Sequence, residues 1–240
     1  MIAFTGRGIL LDIEGTTSSV SFVYDVMFPF VRRELDEYVR GHWGQQDLAQ
    51  ALERTAKDVG HESLGDWLVA SGNVAGLCAD VFRLMDGDVK ATGLKQLQGL
   101  VWQAGFNSGE LQSQVYEDVP PALTAWNGAK LDVRIYSSGS IQAQKLFFSH
   151  TTRGNLLKHF RGHYDTTTGG KKEAASYRKI AAEYPLAPGE ILFLSDVVAE
   201  LDAAKSAGLK TGLVKRPGNA PVDEGHGHDE ITSFKEIVIG

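Results

Sequence analysis

The chain has 240 residues, more than one average domain of ~100–200 residues, so it forms one large domain or two smaller ones. Its 42% hydrophobic residues suffice for a buried core, which excludes a disordered chain. The 24 Lys+Arg against 30 Asp+Glu leave a net charge of −6, which argues against broad nucleic-acid binding but leaves room for a few local cations to hold one phosphate.

Ile9-Leu10-Leu11-Asp12-Ile13 is a short apolar run ending in acids and suits a buried parallel strand. Gly15-Thr16-Thr17-Ser18-Ser19 follows as a polar loop. From about residue 20 to 123 the pattern is helical. Tyr24, Met27, Val31, Leu35 and Val39 recur at three- and four-residue steps, with Pro29 expected to bend or delay that helix. Residues 48–59, 63–70, 76–85 and 94–105 read as further helices, and Pro120-Pro121 is read as closing the stretch.

The α/β rhythm then returns. Residues 131–136 read as a strand, meet Ser137-Ser138-Gly139-Ser140, and lead into a helix over 141–149. Residues 174–184 read as a helix and 191–194 as a strand ending at Ser195-Asp196. A helix over 200–207 stops at Gly208, and a strand over 210–214 runs into the turn Arg216-Pro217-Gly218-Asn219. Alternation of this kind predicts an α/β fold, a Rossmann-like parallel sheet with helices on both faces. The first strand lies about a hundred residues from the next, so the chain is expected to divide. Residues 1–17 and 122–240 form a discontinuous core, and 18–121 form an inserted, mainly helical cap domain.

The lone cysteine, Cys78, excludes an intrachain disulfide and a cysteine-based zinc site, and reads as a small buried residue. No stretch approaches the ~18 apolar residues of a membrane span. Asp12 and Glu14 break the first apolar run, so a secretory signal is not expected and the reducing cytoplasm is.

Ligands of an open α/β sheet bind at the carboxyl ends of its strands. Asp12-Ile13-Glu14-Gly15-Thr16, Ser137-Ser138-Gly139-Ser140 and Ser195-Asp196 fall there, and Gly169-Gly170-Lys171-Lys172 precedes a helix. Each alone is most often a turn, a cap or a solvated lysine. Together they supply the parts of phosphoryl transfer. Asp12 and Asp196 are hard oxygen ligands for Mg²⁺, and a carboxylate can also be a covalent nucleophile. Ser137 and its loop offer hydroxyl and backbone N–H donors to phosphate oxygens, and Lys171 a compact positive charge.

Other motifs do not hold. Gly6-Arg7-Gly8 precedes its strand and is no dinucleotide loop. Gly169-Gly170-Lys171-Lys172 lacks the earlier glycine and the Ser/Thr of a P-loop. His226-Gly227-His228 sits among acids and glycines and reads as a solvated turn.

The order of these segments resembles the haloacid dehalogenase-like (HAD) phosphohydrolases. The first motif, Asp12-Ile13-Glu14-Gly15-Thr16, carries Glu where most phosphatases of that superfamily have Asp. That departure narrows the likeness. The following segments are similar to the enolase-phosphatase family of methionine salvage: Leu11-Asp12-Ile13-Glu14-Gly15-Thr16-Thr17, Tyr136-Ser137-Ser138-Gly139-Ser140, Ala143-Gln144-Lys145-Leu146, Ser176-Tyr177-Arg178-Lys179-Ile180-Ala181 and Arg216-Pro217-Gly218-Asn219-Ala220. Phe28-Pro29 and His42-Trp43 extend the likeness into the early cap.

The resemblance implies a small-molecule substrate, 2,3-diketo-5-methylthiopentyl-1-phosphate. This is enolised and then dephosphorylated to the acireductone 1,2-dihydroxy-3-keto-5-methylthiopentene. It implies one Mg²⁺ per subunit and a monomer. It also implies that Asp12 is metal ligand and nucleophile, Glu14 the second metal position through its backbone carbonyl, and Asp196 the third ligand. Ser137, Ser138 and Lys171 contact substrate, Lys171 being preferred to Lys172 by its spacing from Ser176-Tyr177. Glu14 has the chemistry to shuttle protons as acid and base. The cap is expected to close over the site, with Phe22, Tyr24, Phe28 and Trp43 as candidate apolar lining.

Three alternatives carry different expectations. A phosphatase of another small ester would lack the enolase step. An inactive binding protein of the same fold would lack a catalytic acid or the lysine, whereas Asp12, Lys171 and Asp196 are all present. A metal-independent dehalogenase would not require the acid pair Asp196 and Glu200.

Overall fold

The structure, a computed structural model, describes every residue of the chain apart from 88 and 90. It resolves into two compact units, Met1–Val23 with Gln112–Gly240, and Tyr24–Leu111.

The first unit opens with β1 (Ile2–Phe4) and β2 (Gly8–Leu11). All four residues of β2 are buried, as its apolar run requires of a strand covered on both faces. A π-helical segment, Phe22–Met27, then carries the chain into the second unit.

That unit is helical: α1 (Phe28–Gly41), α2 (Gln46–Asp58), α3 (Leu64–Ser71), α4 (Val74–Asp86) and α5 (Thr92–Ser108). Pro29 follows directly on the π-helical segment Phe22–Met27, and Met27 is already helical (φ −68°, ψ −47°), so the proline lies within a continuous helical run and does not delay it. Met27, Val31, Leu35 and Val39 of the expected stripe are buried, while Tyr24 is 52% exposed. Ser63 and Asn73 cap α3 and α4 by accepting from the N–H of Asp66 and Gly76. Cys78 is buried in α4, and burial pushes its thiol up to about 11, so it packs as a small apolar residue.

Back in the first unit the chain forms α6 (Val119–Gly128), β3 (Asp132–Tyr136), α7 (Ile141–Ser149), β4 (Gly162–Tyr164), α8 (Ala174–Ala182), β5 (Ile191–Ser195), α9 (Val198–Ser206), β6 (Lys210–Val214), β7 (Asp229–Ile231) and β8 (Ile237–Ile239). Pro120 and Pro121 do not close the helical stretch. They sit in the first turn of α6, where proline is tolerated. Six strands form one parallel sheet in the order β4-β3-β2-β5-β6-β7, and β1 pairs with β8 separately. From β2 the chain builds outward to β3 and β4 on one side and to β5, β6 and β7 on the other, so the order reverses at β2. Leu10, Tyr136, Tyr177, Phe193, Leu201 and Leu213 are buried in one cluster that joins the sheet to α8 and α9.

The units divide at 23/24 and 111/112 rather than at 17/18 and 121/122, because the segments between bond to the sheet unit. The Ser18 hydroxyl donates to Gln114 O at 2.7 Å, Tyr116 N–H to Thr17 O at 3.0 Å and Ser113 N–H to His150 O at 2.9 Å. Phe22 packs edge-on against Phe147, with centroids 5.8 Å apart, and so belongs to this unit and not to the helical one.

The reading of His226-Gly227-His228 as a solvated turn is corrected. His228 is buried, its ring nitrogens 2.8 Å from Thr211 Oγ1 and 3.1 Å from Asp202 Oδ1, and His226 stacks on it while contacting Glu230. Both rings are occupied in fastening the β6–β7 connection.

Candidate active site

The parallel register decides which residues meet. Leu11 lies beside Ile135 of β3 and Leu194 of β5. Asp12, Tyr136-Ser137 and Ser195-Asp196 therefore leave the sheet side by side, at the reversal of strand order where such sheets bind ligands.

Asp12 is 4% exposed and lies at the centre. Its Oδ1 accepts from Ile13 N–H at 2.8 Å and stands 2.7 Å from Lys171 Nζ. The same ammonium lies 2.7 Å from Glu200 Oε2. The Ser195 hydroxyl donates to Glu200 Oε2 at 3.0 Å and lies 3.4 Å from Asp12 Oδ2, closing a buried ring of four side chains. Lys172 is exposed.

Three hydroxyls fix the backbone that carries Lys171. Tyr136 donates to Gly169 O at 2.9 Å, Ser176 to Gly170 O at 2.8 Å and Tyr177 to Lys171 O at 2.7 Å. Successive carbonyls are thus pinned, two of them by α8, and the flexible lysine stem is anchored at its base.

The loop after β2 turns sharply. The N–H groups of Thr16, Thr17 and Ser18 all donate to Ile13 O, at 3.2, 2.9 and 2.9 Å. Gly15 has φ +70°, and a Cβ there would stand 2.1 Å from Asp196 Oδ2. Only glycine both adopts that backbone and lets the Asp196 carboxylate lie against it. Glu14 and Asp196 are each half-buried.

Burial, and next the charge of Asp12, push Asp196 up to about 7. Burial and then Asp12 raise Glu200 to about 7 as well, against the pull of Lys171. Burial opposes the Lys171 charge, but Asp12 and Glu200 outweigh it and hold the ammonium protonated above the ordinary lysine range. One cation faces several carboxylates, so the site has an electrostatic deficit that a second cation would relieve.

The donor set suits a hard divalent ion. Asp12 and Asp196 offer carboxylates and Glu14 a backbone carbonyl. Among the described residues no three His, Cys, Asp or Glu side chains form a metal cage. Two carboxylates completed by a backbone oxygen and water is the pattern of an ion that keeps part of its hydration shell.

The loop after β3 forms the other wall. Ser137 is buried; its N–H donates to Tyr164 O at 3.2 Å and its hydroxyl accepts from Gly139 N–H at 3.3 Å. Ser138 is half-buried. Ser140 caps α7 by accepting from Ala143 N–H. Gln144 Nε2 donates to Gly139 O at 2.8 Å and Tyr164 O at 2.7 Å, which holds this loop to β4.

The predicted residues Asp12, Glu14, Ser137, Ser138, Lys171 and Asp196 therefore share one unit and one edge of the sheet. Sequence reasoning left the bond from Glu200 to Lys171 unread, although Glu200 sits one helical turn after Asp196. Tyr24 and Trp43, expected as apolar lining, are 52% and 47% exposed, and Phe28 is half-buried against Trp102.

A parallel sheet with an acid just after its central strand, a buried lysine against it and acids in the segment that follows the neighbouring strand defines a hydrolase of the haloacid dehalogenase-like class, and that family matches residues 7–208. An enolase-phosphatase E1 of Pseudomonas aeruginosa is 45% identical over 98% of this chain and 99% of its own length. One from Drosophila melanogaster is 41% identical, covering 95% and 91%. The crystal structure of the UTR4 protein of Saccharomyces cerevisiae superposes with TM-score 0.81 at 34% identity, covering 97% of this chain and all of that one. The chain belongs to the enolase-phosphatase family of haloacid dehalogenase-like hydrolases.

Proposed function

We propose that the protein enolises 2,3-diketo-5-methylthiopentyl-1-phosphate and then hydrolyses the enol phosphate to the acireductone 1,2-dihydroxy-3-keto-5-methylthiopentene, a step of methionine salvage. The observation that carries this reading is the buried Asp12–Lys171–Glu200 cluster, set beside Glu14 in a chain with full-length enolase-phosphatase relatives. A panel of phosphate esters tests it. The diketone phosphate should show the highest kcat/KM and pass through an enol absorbance that simple esters lack. Equal turnover of all esters without that absorbance would make the protein a general phosphatase.

The side chains divide the work. Lys171 and the Ser137-Ser138 loop receive the phosphate oxygens. Asp12 attacks phosphorus in line, forming an aspartyl phosphate while the ester oxygen departs and takes a proton. Water then cleaves the acyl phosphate, regenerating the carboxylate. One Mg²⁺ per subunit, held by Asp12, the Glu14 carbonyl and Asp196, would supply Lewis-acid stabilisation of the charge on phosphoryl and enolate oxygens. The negative charges of Asp12 and Glu14, which raise the Asp196 carboxyl beyond the effect of burial, support a cation there.

Glu14 is assigned the proton shuttle, giving a proton to the leaving oxygen or taking one from the substrate carbon. Glu14→Gln keeps the backbone carbonyl and removes the titratable group. A loss of ~10²-fold or more is expected in enol formation or phosphate release, measured separately. Full rate in both would remove Glu14 from proton transfer.

The raised carboxyls give a pH dependence with a definite sign. Their ordinary values are 3.8 for Asp196 and 4.5 for Glu200, against about 7 for each in the folded chain. Between about pH 4 and 7 the folded state holds more protons than the unfolded, so their contribution to stability is full below about pH 4 and is lost as pH rises to 7. A bound cation competes with those protons. Adding Mg²⁺ should therefore raise Tm more at about pH 8 than at about pH 5.5, as read by melting curves. An equal rise at both would contradict a cation between these carboxylates.

A monomer acting in the cytoplasm on a free small-molecule phosphate, with no nucleic-acid or membrane partner, completes the proposal. The net charge of −6 supports a small ligand over nucleic acid. Among the described residues no single helix is long and apolar enough to cross a membrane.

A further inference from the structure

The turn after β6 reaches back to the loop that follows β2. Asn219 Nδ2 donates to Gly15 O at 3.0 Å and to Val214 O at 3.1 Å, tying that loop to the end of β6, two strands away in the sheet. Arg216 Nε donates to the next carbonyl, Thr16 O, at 3.2 Å. Two consecutive carbonyls, directly after Glu14, are thus held by two side chains of one turn. The turn is itself fixed, because Asn219 N–H donates to Arg216 O at 3.1 Å, and Arg216 Nη1 bonds Asp118 Oδ2 at 2.9 Å and Thr232 O at 3.0 Å.

The loop they hold has little freedom to compensate. Gly15 lies against the Asp196 carboxylate, so any shift of Gly15 changes the separation of Asp12 and the Glu14 carbonyl from Asp196. The clamp also retains polar groups at a cost. Asn219 Oδ1, Arg216 Nη2, Thr16 Oγ1 and the Tyr116 hydroxyl are buried without a protein partner, and all four residues either contact this loop or adjoin Arg216.

We propose that Asn219 and Arg216 are positioning residues that set the geometry of the oxygen donors around the divalent cation, and so tune metal affinity. The inference rests on the Mg²⁺ site assigned above. Groups that orient metal ligands from behind typically alter affinity by about 10–100-fold when removed. Asn219 is the residue to test, since it is half-buried in a turn while Arg216 also neutralises buried Asp118.

Mg²⁺ binding to wild-type and Asn219→Ala protein is measured by titration calorimetry, beside melting curves and the Mg²⁺ dependence of phosphate release. The variant is expected to bind Mg²⁺ at least ~10-fold more weakly, with kcat recovering at saturating Mg²⁺. Asn219→Leu, similar in size and without the amide donor, should behave alike and serves if the alanine variant does not fold. Unchanged Mg²⁺ affinity with a lowered Tm would overturn the proposal and leave the clamp purely structural. A wild-type chain that binds no Mg²⁺ would instead overturn the metal site on which the proposal stands.

Discussion

Replacing Asp12 by Asn is expected to stop phosphate release, with a loss of ~10⁴-fold or more at saturating Mg²⁺. The substitution is nearly isosteric, and the amide oxygen can still accept from Ile13 N–H, so the loop after β2 should keep its path. What disappears is the carboxylate that would attack phosphorus, together with the charge facing Lys171 at 2.7 Å. Enolisation does not use that nucleophile, and at saturating Mg²⁺ the amide oxygen can still serve as a metal ligand in place of the carboxylate. The variant should accumulate the enol phosphate, seen as a rise in absorbance without free phosphate. Near-normal phosphate release would exclude Asp12 as nucleophile and direct attention to attack by water.

Lys171→Met has the second large effect, and it is double. The lysine is 9% exposed and is shared between Asp12 and Glu200, so its removal leaves two buried carboxylates facing each other. Breaking a buried pair from one side costs about 3–5 kcal/mol. Glu200, already raised to about 7, relieves part of this by taking a proton. A loss of about 3 kcal/mol, or roughly 6–12 °C in Tm, is therefore expected at pH 8, and less at pH 5.5. Phosphate release should fall by ~10²–10³-fold, because a preorganised cation at the phosphoryl oxygens is lost. A variant with unchanged rate and an unchanged melting curve at both pH values would contradict the placement of Lys171 at the phosphate.

Much of this was legible because it is local. The run Ile9-Leu10-Leu11 ending in acid marks a covered strand and its functional end, and β2 is buried throughout. Ser140 before an apolar-periodic run marks α7, whose observed span, Ile141–Ser149, is the expected one. The parts that stayed hidden depend on residues far apart in the chain. Glu200 reads as the partner acid of Asp196, but its contact with Lys171 arises only when the fold brings the two together. Arg216 reads as part of a turn, yet it reaches across 98 positions to Asp118 and 200 to Thr16. The three-residue strands β1 and β8 pair from opposite ends of the chain, a register that no local period announces. His228 lies in a stretch of acids and glycines, and only the packing of Asp202 and Thr211 makes it a buried residue. The segments 18–23 and 112–121 carry the helical pattern of their neighbours, while their hydrogen bonds belong to the sheet unit.

The central claim is that one site performs enolisation and then phosphate removal with a divalent cation. It is tested most directly by the time course of 2,3-diketo-5-methylthiopentyl-1-phosphate turnover with and without Mg²⁺, following enol absorbance and free phosphate separately. The account predicts that with Mg²⁺ the enol signal leads and phosphate follows to stoichiometric yield, and that chelation abolishes phosphate release. Phosphate released without any enol signal, or at full rate in chelator, would contradict it.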